Sequence, residues 1–304
     1  MSLRILARRF RFYYKPNSRE LYRRAFQNHK QARWFPFFGD GTFIPRNGMP
    51  TIHVPLNRWS SLATAARLVL MDAYPKWDDE TLTIEWEGFT FVQPAAERWT
   101  PQIMLEDPWR TKQQSLKGKI VVDIGAFIGD SSMAYAIGGA RVHAFEAVPI
   151  FANYAARNAK LNGLDERISI HPVGLSNRSG VVKDPDEIRS IASMSHNCLP
   201  DNAESQQIQL VDAVTYLQTH GITHADIVKM NCEGCEYDLI GDARLLHYLN
   251  PERVLVDYHY GSQPLRKVLA ECNYEVEDTN PSEERGTLFA TRRPVVKKQA
   301  ISAF

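Results

Sequence analysis

The stretch from Lys119 to Pro149 constrains the fold most, because two β-rich runs there flank a glycine-bearing turn. The first run ends at Asp123, and Gly125 and Gly129 follow with three residues between them. The second run ends at Glu146. This order predicts a buried strand, a turn, a helix start and a second, parallel strand. Asp123, the turn and Glu146 should then lie along the carboxyl edge of the sheet, where open α/β sheets bind ligands.

The residue types at this edge indicate which ligand fits. Gly125 and Gly129 permit close approach to the backbone, and the two oxygens of Glu146 could accept a ribose diol. A nicotinamide dinucleotide site needs the spacing G-x-G-x-x-G, whereas the spacing here is G-x-x-x-G. Asp123, two residues before the first glycine, would repel a diphosphate. The pattern therefore favours an adenosine that carries a cationic amino group, as S-adenosylmethionine does.

Four segments in sequence order resemble the FkbM family of S-adenosylmethionine-dependent methyltransferases. They read VVDIGAFIGDSS (121–132), VHAFEAVP (142–149), NAKLNGL (158–164) and IVKMNCEGCE (227–236). The resemblance covers roughly Val121 to Arg292. It implies an α/β fold with a doubly wound, seven-stranded class I methyltransferase sheet of Rossmann-like form. It also implies S-adenosylmethionine as cofactor and O-methylation of a sugar hydroxyl or another small acceptor by in-line transfer.

Three positions depart from the residues that this family usually has. Phe127 stands where the family has Asn, Ala147 where it has Pro, and Asn231 where it has Asp. The first two changes should be mild. The third lies near the transferring methyl group, so Asn231 keeps open another class of function. The chain could be a binding or scaffold protein that retains the cofactor pocket without catalysis.

The expected cofactor contacts lie in the glycine turn, at the end of the second strand and at the exit of the third strand. The third strand is predicted over 167–171, and in this architecture the adenine usually lies just after it. The predicted contacts are Asp123, Gly125, Ala126, Phe127, Gly129, Asp130, Ser131, Glu146, Ala147, Val173 and Gly174.

Methyl transfer from a sulfonium needs mainly positioning, which can supply ~7–11 kcal/mol of the barrier. A hydroxyl acceptor must also lose its proton, so a base is expected at the predicted strand ends. Glu233 and Glu236 follow the fourth strand, and Asp257 and His259 end the fifth. His259 is the first choice because imidazole titrates near neutral pH, although it could instead be a structural histidine. Asn231 could orient the acceptor or the cofactor amine, but it cannot act as a base.

The three acids and His259 also have other interpretations. Glu236 could cap the following helix. Glu233, Asp257 and His259 together could hold Mg²⁺ or Mn²⁺ beside the acceptor, since mixtures of carboxylate and imidazole bind such ions. A divalent cation is nevertheless not expected.

Cys232 and Cys235 have C-x-x-C spacing, and the other cysteines are Cys198 and Cys272. A structural zinc site would need a second pair of ligands, and a redox motif would be expected in a thioredoxin-like context. The preferred interpretation is two small residues at a tight strand end. With no secretory signal, the four cysteines predict a reducing, cytoplasmic location, with peripheral membrane binding as a further option.

The amino-terminal 36 residues carry ten Lys or Arg and one acid, a charge of +9, against −8 for the remainder of this +1 chain. Such a basic, aromatic arm could pack on the acidic part of its own chain, or bind an anionic membrane surface or RNA. RNA methylation with the arm on phosphates is therefore the alternative activity. No apolar run approaches the ~20 residues of a membrane span, and the sequence does not indicate an oligomeric state.

The expected organisation has four parts: a basic arm and turn-rich linker (1–55), a cap (56–110), the methyltransferase domain (111–294) and a flexible tail (295–304). The cap should contain a helix capped by Ser60 or Ser61 and a β-hairpin. The segment at 103–109 could close the ligand mouth, and the irregular stretch at 181–206 could be a substrate loop. Single helices are predicted over 210–220 and 237–249. A final antiparallel pair of strands is predicted over 274–278 and 287–292.

Overall fold

The computed structural model of the 304-residue chain describes residues 16–33, 35, 41–55, 58, 61–95, 107, 110–111, 115–183, 207–279 and 281–294. The predictions for the first 15 residues, for most of the segment at 103–109, for 184–206 and for the tail lie outside the described residues. None of the described helices has the length and apolar character needed to cross a bilayer.

The amino-terminal third of the described chain forms a small helical and β unit. Its elements are α1 (Pro16–Ala25), a 3-10 helix (His29–Arg33), β1 (Thr42–Phe43), β2 (Ile52–His53), α2 (Leu62–Leu70), β3 (Tyr74–Trp77), β4 (Thr81–Trp86) and β5 (Phe89–Pro94). Phe26, Phe35 and Phe43 are fully buried, and their rings pack together. The described residues between 16 and 55 therefore share one apolar core with α2, while the predicted boundary at residue 55 stays a prediction.

The methyltransferase-like part follows from residue 120 onward. Its elements are β6 (Ile120–Ile124), α3 (Asp130–Ile137), β7 (Arg141–Phe145), α4 (Pro149–Leu161), β8 (Ile168–His171), β9 (Gly174–Ser176), β10 (Gly180–Val182), β11 (Ile208–Asp212), α5 (Ala213–Thr219), β12 (Ile227–Met230), α6 (Cys235–Gly241), α7 (Arg244–Leu249), β13 (Arg253–Tyr258), α8 (Gln263–Glu271), β14 (Tyr274–Thr279) and β15 (Gly286–Arg292).

Seven of these strands form one sheet in the order β14-β15-β13-β12-β6-β7-β8. Neighbours from β13 to β8 are parallel, and β15 runs antiparallel to both β13 and β14. This confirms the predicted α/β fold with a doubly wound, seven-stranded class I methyltransferase sheet. Beginning at β6, the chain adds β7 and β8 on one side of the sheet and later adds β12 and β13 on the other. The carboxyl ends of β6 and β12 therefore flank the point where ligands bind in such sheets.

Both faces of the sheet are buried. Alternate residues of one strand belong to different apolar clusters, as Val122 and Val121 of β6 do. Helices α5 to α8 contribute to the cluster on one face. The other face packs against α3 and, through Leu82, Ile84 and Phe91, against the hairpin of β4 and β5. The near-continuous apolar runs of the central strands are typical of parallel sheets covered on both sides.

The predicted hairpin is confirmed, with Glu87 and Gly88 as its two-residue turn. Both residues have positive φ angles (46° and 83°), as a type I′ turn requires.

Two helix predictions were wrong in part. The predicted helix over 210–220 begins only at Ala213, because 208–212 forms strand β11, parallel to β9 and antiparallel to β10. Asp212 ends that strand and caps α5 by accepting the Thr215 N–H at 3.0 Å. The predicted helix over 237–249 is two helices, since Ala243 has a φ of 56° and Asp242 accepts the N–H of Arg244.

Asn158 of α4 and Asn162, the C-cap of that helix, join the hairpin to the sheet domain. Asn158 accepts the Val92 N–H (2.8 Å) and donates to the carbonyl oxygens of Val92 (3.0 Å) and Ile128 (2.9 Å). One turn later, Asn162 pairs in the same way with the N–H and carbonyl of Thr90. The side-chain amides therefore satisfy the outer edge of β5 as a neighbouring strand would.

We expect Asn158→Ala to lower the free energy of unfolding by roughly 2–4 kcal/mol, because it leaves buried groups on Val92 and Ile128 without partners. Asn162→Ala should have a smaller effect, since Asn162 is only half-buried. Urea unfolding of the two variants and the parent measures both values. Equal, small losses would contradict a clamping role for Asn158.

Candidate functional site

The glycine turn, residues 125–129 between β6 and α3, has glycines at positions where a side chain would strain the backbone or clash with a neighbour. Gly125 and Gly129 have φ angles of 75° and 87°. A Cβ on Gly125 would overlap the Asn231 carbonyl, so β12 and the turn meet without a side chain between them. The N–H groups of Gly125 and Ala126 both donate to the Phe145 carbonyl. Phe127 also has a left-handed φ, 50°, which is unfavourable for a bulky residue and needs support from its surroundings.

Beneath the turn lies a buried ion pair between neighbouring strands. Asp123 and Lys229 are register partners, and Lys229 Nζ lies 2.8 Å from Asp123 Oδ1, in ion-pair contact without hydrogen-bond geometry. Asp123 Oδ2 accepts hydrogen bonds from the hydroxyls of Ser131 and Ser132, each at 2.6 Å. Lys229 also donates to the Gly125 carbonyl at 2.9 Å. All four side chains are buried, so they support the turn from the interior of the protein.

Glu146 joins the turn to the end of β7. One carboxylate oxygen accepts the Phe127 N–H at 2.8 Å, and the other accepts the Val148 N–H at 2.9 Å. Burial raises the pKa of the Glu146 carboxyl above its ordinary value, although both N–H donors and the charge of Lys229 oppose the shift. Each oxygen keeps a second lone pair that a ligand hydroxyl could use.

The exit of β8 lies next to Glu146. The Glu146 N–H donates to the His171 carbonyl at 3.1 Å. A Cβ on Gly174 would lie 3.2 Å from the Ala147 Cβ, so these two residues touch. The predicted contacts fall into two groups. Asp123, Ala126, Gly129, Asp130, Ser131 and Glu146 are buried, whereas Gly125, Phe127, Ala147, Val173 and Gly174 are half-buried at the same edge.

Beside the turn, His259 lies between two carboxylates. Its Nδ1 donates to Glu236 Oε1 at 2.9 Å, and its Nε2 is 3.4 Å from Glu233 Oε1. Burial alone would lower the pKa of His259, but the hydrogen bonds and charges of Glu233 and Glu236 outweigh it and raise the pKa to about 9. His259 is therefore a cation at neutral pH. The sequence made His259 the first-choice base because imidazole ordinarily titrates near neutral pH, and the two carboxylates raise its pKa above that range.

The structure brings the remaining candidates to this edge in different ways. Asn231, half-buried, donates its N–H to the Ile124 carbonyl and so lies directly beside the turn. Asp257 accepts a 2.6 Å hydrogen bond from Thr287, and burial is the largest influence raising the pKa of its carboxyl. In the described residues, the ligand atoms of Glu233, Asp257 and His259 do not gather into a metal-binding group.

Cys232 and Cys235 form a disulfide. The preferred interpretation, two small residues at a tight strand end, did not include this bond. Together with Glu236 they are the one group of metal-ligand type among the described residues. In the disulfide, however, the sulfurs carry no thiolate charge with which to bind a metal ion.

Comparison with known proteins identifies the family. The model of the methyltransferase FkbM domain matches residues 123–276, just over half of the chain. The chain belongs to the FkbM methyltransferase family. A search of the curated proteins finds none that matches.

Solved structures of other methyltransferases resemble this FkbM-family chain at low identity. Methyltransferase FkbM from Methylobacillus flagellatus KT is 20% identical, with a TM-score of 0.40, over 57% of this chain and 43% of that one. A tRNA methyltransferase from M. jannaschii is 15% identical, with a TM-score of 0.44, over 71% and 56%. A ribosomal protein methylase from Lactobacillus delbrueckii subsp. bulgaricus is 17% identical, with a TM-score of 0.40, over 64% and 81%. The chain thus spans about half the length of the first two.

Sequence reasoning missed Lys229, Ser132 and Asn158. A lysine inside the apolar run Ile227–Met230 was a usable signal, because lysine is almost never fully buried unless it is paired. Asn158 lies in a segment that resembles the family, but nothing local indicated its partners on β5.

The charge on His259 predicts how the stability of this FkbM-family protein depends on pH. Its folded pKa of about 9 exceeds the ordinary 6.5, so its contribution is complete below pH 6.5 and is lost as pH rises through 9. We expect the free energy of unfolding to fall by up to about 3 kcal/mol over this interval. Urea unfolding between pH 6 and 10 measures it. His259→Gln should remove the slope, and an unchanged slope in that variant would contradict the assignment.

Proposed function

We propose that this chain transfers a methyl group from S-adenosylmethionine to a hydroxyl of a small acceptor, with a sugar hydroxyl as the leading candidate. One observation carries the proposal. The glycine turn contacts Asn231, and two residues later Glu233 enters the cluster with His259 and Glu236. The glycine turn and a set of proton-handling groups therefore adjoin at one sheet edge. When bound, the cofactor supplies a methyl group bonded to a sulfonium sulfur. An oxygen nucleophile can attack that methyl group in line, with the thioether as leaving group.

The residues at the turn fit this cofactor. Glu146 keeps lone pairs for the ribose hydroxyls, while Gly125 and Gly129 leave the backbone open to close approach. Ala147, Val173 and Gly174 provide a half-buried, largely apolar wall for the adenine. The oxygens of Asp123 are occupied by Lys229, Ser131 and Ser132, so Asp123 acts as a positioning residue beneath the turn.

The proton of the acceptor hydroxyl goes to Glu233 in this proposal. At neutral pH the His259 imidazolium already holds both of its protons, so it cannot accept another. The Glu233 side chain is 14% exposed, compared with 6% for His259 and 0% for Glu236. Glu233 is thus the member of the cluster nearest to solvent. His259 lies against Glu233 and is itself held by Glu236, and the Asn231 backbone, two residues before Glu233, meets the glycine turn.

Tyr260 supports a ring-shaped acceptor. It follows His259 directly, and its side chain is 70% exposed. Its N–H donates to the Tyr237 hydroxyl, which itself donates to the Gly261 carbonyl, both at 2.8 Å. A Cβ on Gly234 would lie 3.3 Å from the Tyr260 ring. An exposed aromatic ring fixed beside Glu233 offers a flat surface on which the apolar face of a sugar can lie.

Methyl transfer should depend on Glu233. With radiolabelled S-adenosylmethionine and a glycan extract or a panel of methyl glycosides, Glu233→Gln should lower kcat by about 10²-fold or more because the proton has no acceptor. The affinity for S-adenosylhomocysteine, measured by calorimetry, should stay within about twofold, a small free-energy change. Glu146→Ala should instead abolish that binding. The exposed strand variant Glu275→Gln is the control for both assays. Full turnover in Glu233→Gln would contradict the proposed role.

The acceptor platform can be tested through the Michaelis constant. Tyr260→Ala should raise the acceptor KM about 2- to 10-fold, the range expected for loss of one aromatic contact, with kcat nearly unchanged. Tyr260→Phe keeps the ring and should behave like the parent. An equal effect of both substitutions would assign any contribution to the hydroxyl and exclude the platform.

A further inference from the structure

The disulfide of Cys232 and Cys235 closes the short turn that carries Glu233, one of the two carboxylates beside His259. Glu233 and Gly234 lie between the cysteines in sequence, and both have positive φ angles, 56° and 123°. The left-handed region is unfavourable for a residue other than glycine. Glu233 therefore keeps this conformation only while the surrounding turn enforces it.

Contacts on both sides connect this disulfide turn, residues 232–235, to the rest of the site. A Cβ on Gly125 would lie 3.1 Å from the Cys232 Cα, so the turn touches the cofactor side. The Gly234 N–H donates to Glu236 Oε2 at 2.8 Å, and Cys232 Sγ lies 3.5 Å from the same oxygen. The other oxygen of Glu236 binds His259. The disulfide turn is thus packed between the glycine turn and His259.

We propose that Cys232 and Cys235 are a redox modification site. The oxidised pair fixes the turn that holds Glu233 against His259, and reduction by a dithiol or by glutathione releases it. The proposal rests on the proposed function only in naming methyl transfer as the activity that is regulated.

The chemistry is thiol–disulfide exchange with a low-molecular-weight disulfide such as oxidised glutathione. One cysteine thiolate attacks a sulfur of the reagent, forms a mixed disulfide and expels one thiolate. The second cysteine then attacks the protein sulfur of that mixed disulfide and expels the other. Two protein thiols lose two electrons and two protons, and the reagent is reduced to two thiols. A dithiol reductant reverses the sequence by the same steps.

Accessibility permits exchange at this pair, and local charge favours its oxidised state. Both cysteines are half-buried, so a small reagent can reach them. The buried Glu236 carboxylate beside Cys232 Sγ would disfavour a neighbouring thiolate once the bond is reduced. Cys272, the free cysteine among the described residues, lies elsewhere, and burial raises the pKa of its thiol. It is therefore a suitable control.

The link between the disulfide and His259 can be measured without any methyl-transfer assay. The full chain is titrated by NMR on the His259 ring proton, assigned with His259→Gln, after treatment with oxidised glutathione or with dithiothreitol. The oxidised protein should titrate at about 9. The reduced protein should titrate lower by about one pH unit or more, because Glu233 is no longer held against the imidazole.

Two variants sharpen the result. The double variant Cys232→Ser, Cys235→Ser should show the reduced value in either reagent, and Cys272→Ser should respond like the parent. If the double variant does not fold, the parent in the two reagents still decides. Identical His259 titrations in both states would overturn the proposal. So would mass spectra showing that oxidised glutathione leaves the pair as free thiols. A failed methyl-transfer assay would overturn the proposed function and leave this result standing.

Discussion

The buried ion pair of Lys229 and Asp123 is the interaction on which the candidate site depends. Each charge would be unstable alone in the interior, and removing one partner of such a pair typically costs several kcal/mol. Adjacent register positions on β12 and β6 bring the two together, and the hydroxyls of Ser131 and Ser132 complete the carboxylate's shell. Because Lys229 also binds the Gly125 carbonyl, the same pair fixes the first residue of the glycine turn.

The rest of the site follows from where that turn is held. Its N–H groups reach the Phe145 carbonyl and Glu146, which couples β6 to β7. Its open side meets the backbone of Asn231, where β12 ends and the segment with Glu233 begins. The chain therefore places the glycine turn beside a cluster formed by His259 and the carboxylates of Glu233 and Glu236. That arrangement suits a reaction in which a sulfonium loses its charge while a hydroxyl loses its proton.

Local sequence patterns were enough to predict the seven strands of the main sheet, the hairpin and the ligand-binding edge. Apolar runs with glycines after them identify parallel strands, and parallel strands align their carboxyl ends. The pairing of Lys229 with Asp123 was not predictable in this way, because it requires knowing which strands are neighbours and in which register. The charge of His259 likewise depends on two carboxylates that fold around it. The start of α5 was missed although Asp212, a favourable N-cap residue, marks it.

A crystal structure of the full chain with S-adenosylhomocysteine tests the central claim most directly. We expect the ribose hydroxyls within hydrogen-bond distance of Glu146, the adenine against Val173 and Gly174, and the sulfur on the side of Asn231 and Glu233. A ligand bound away from the glycine turn would contradict the account. A ribose without contact to Glu146 would contradict it equally.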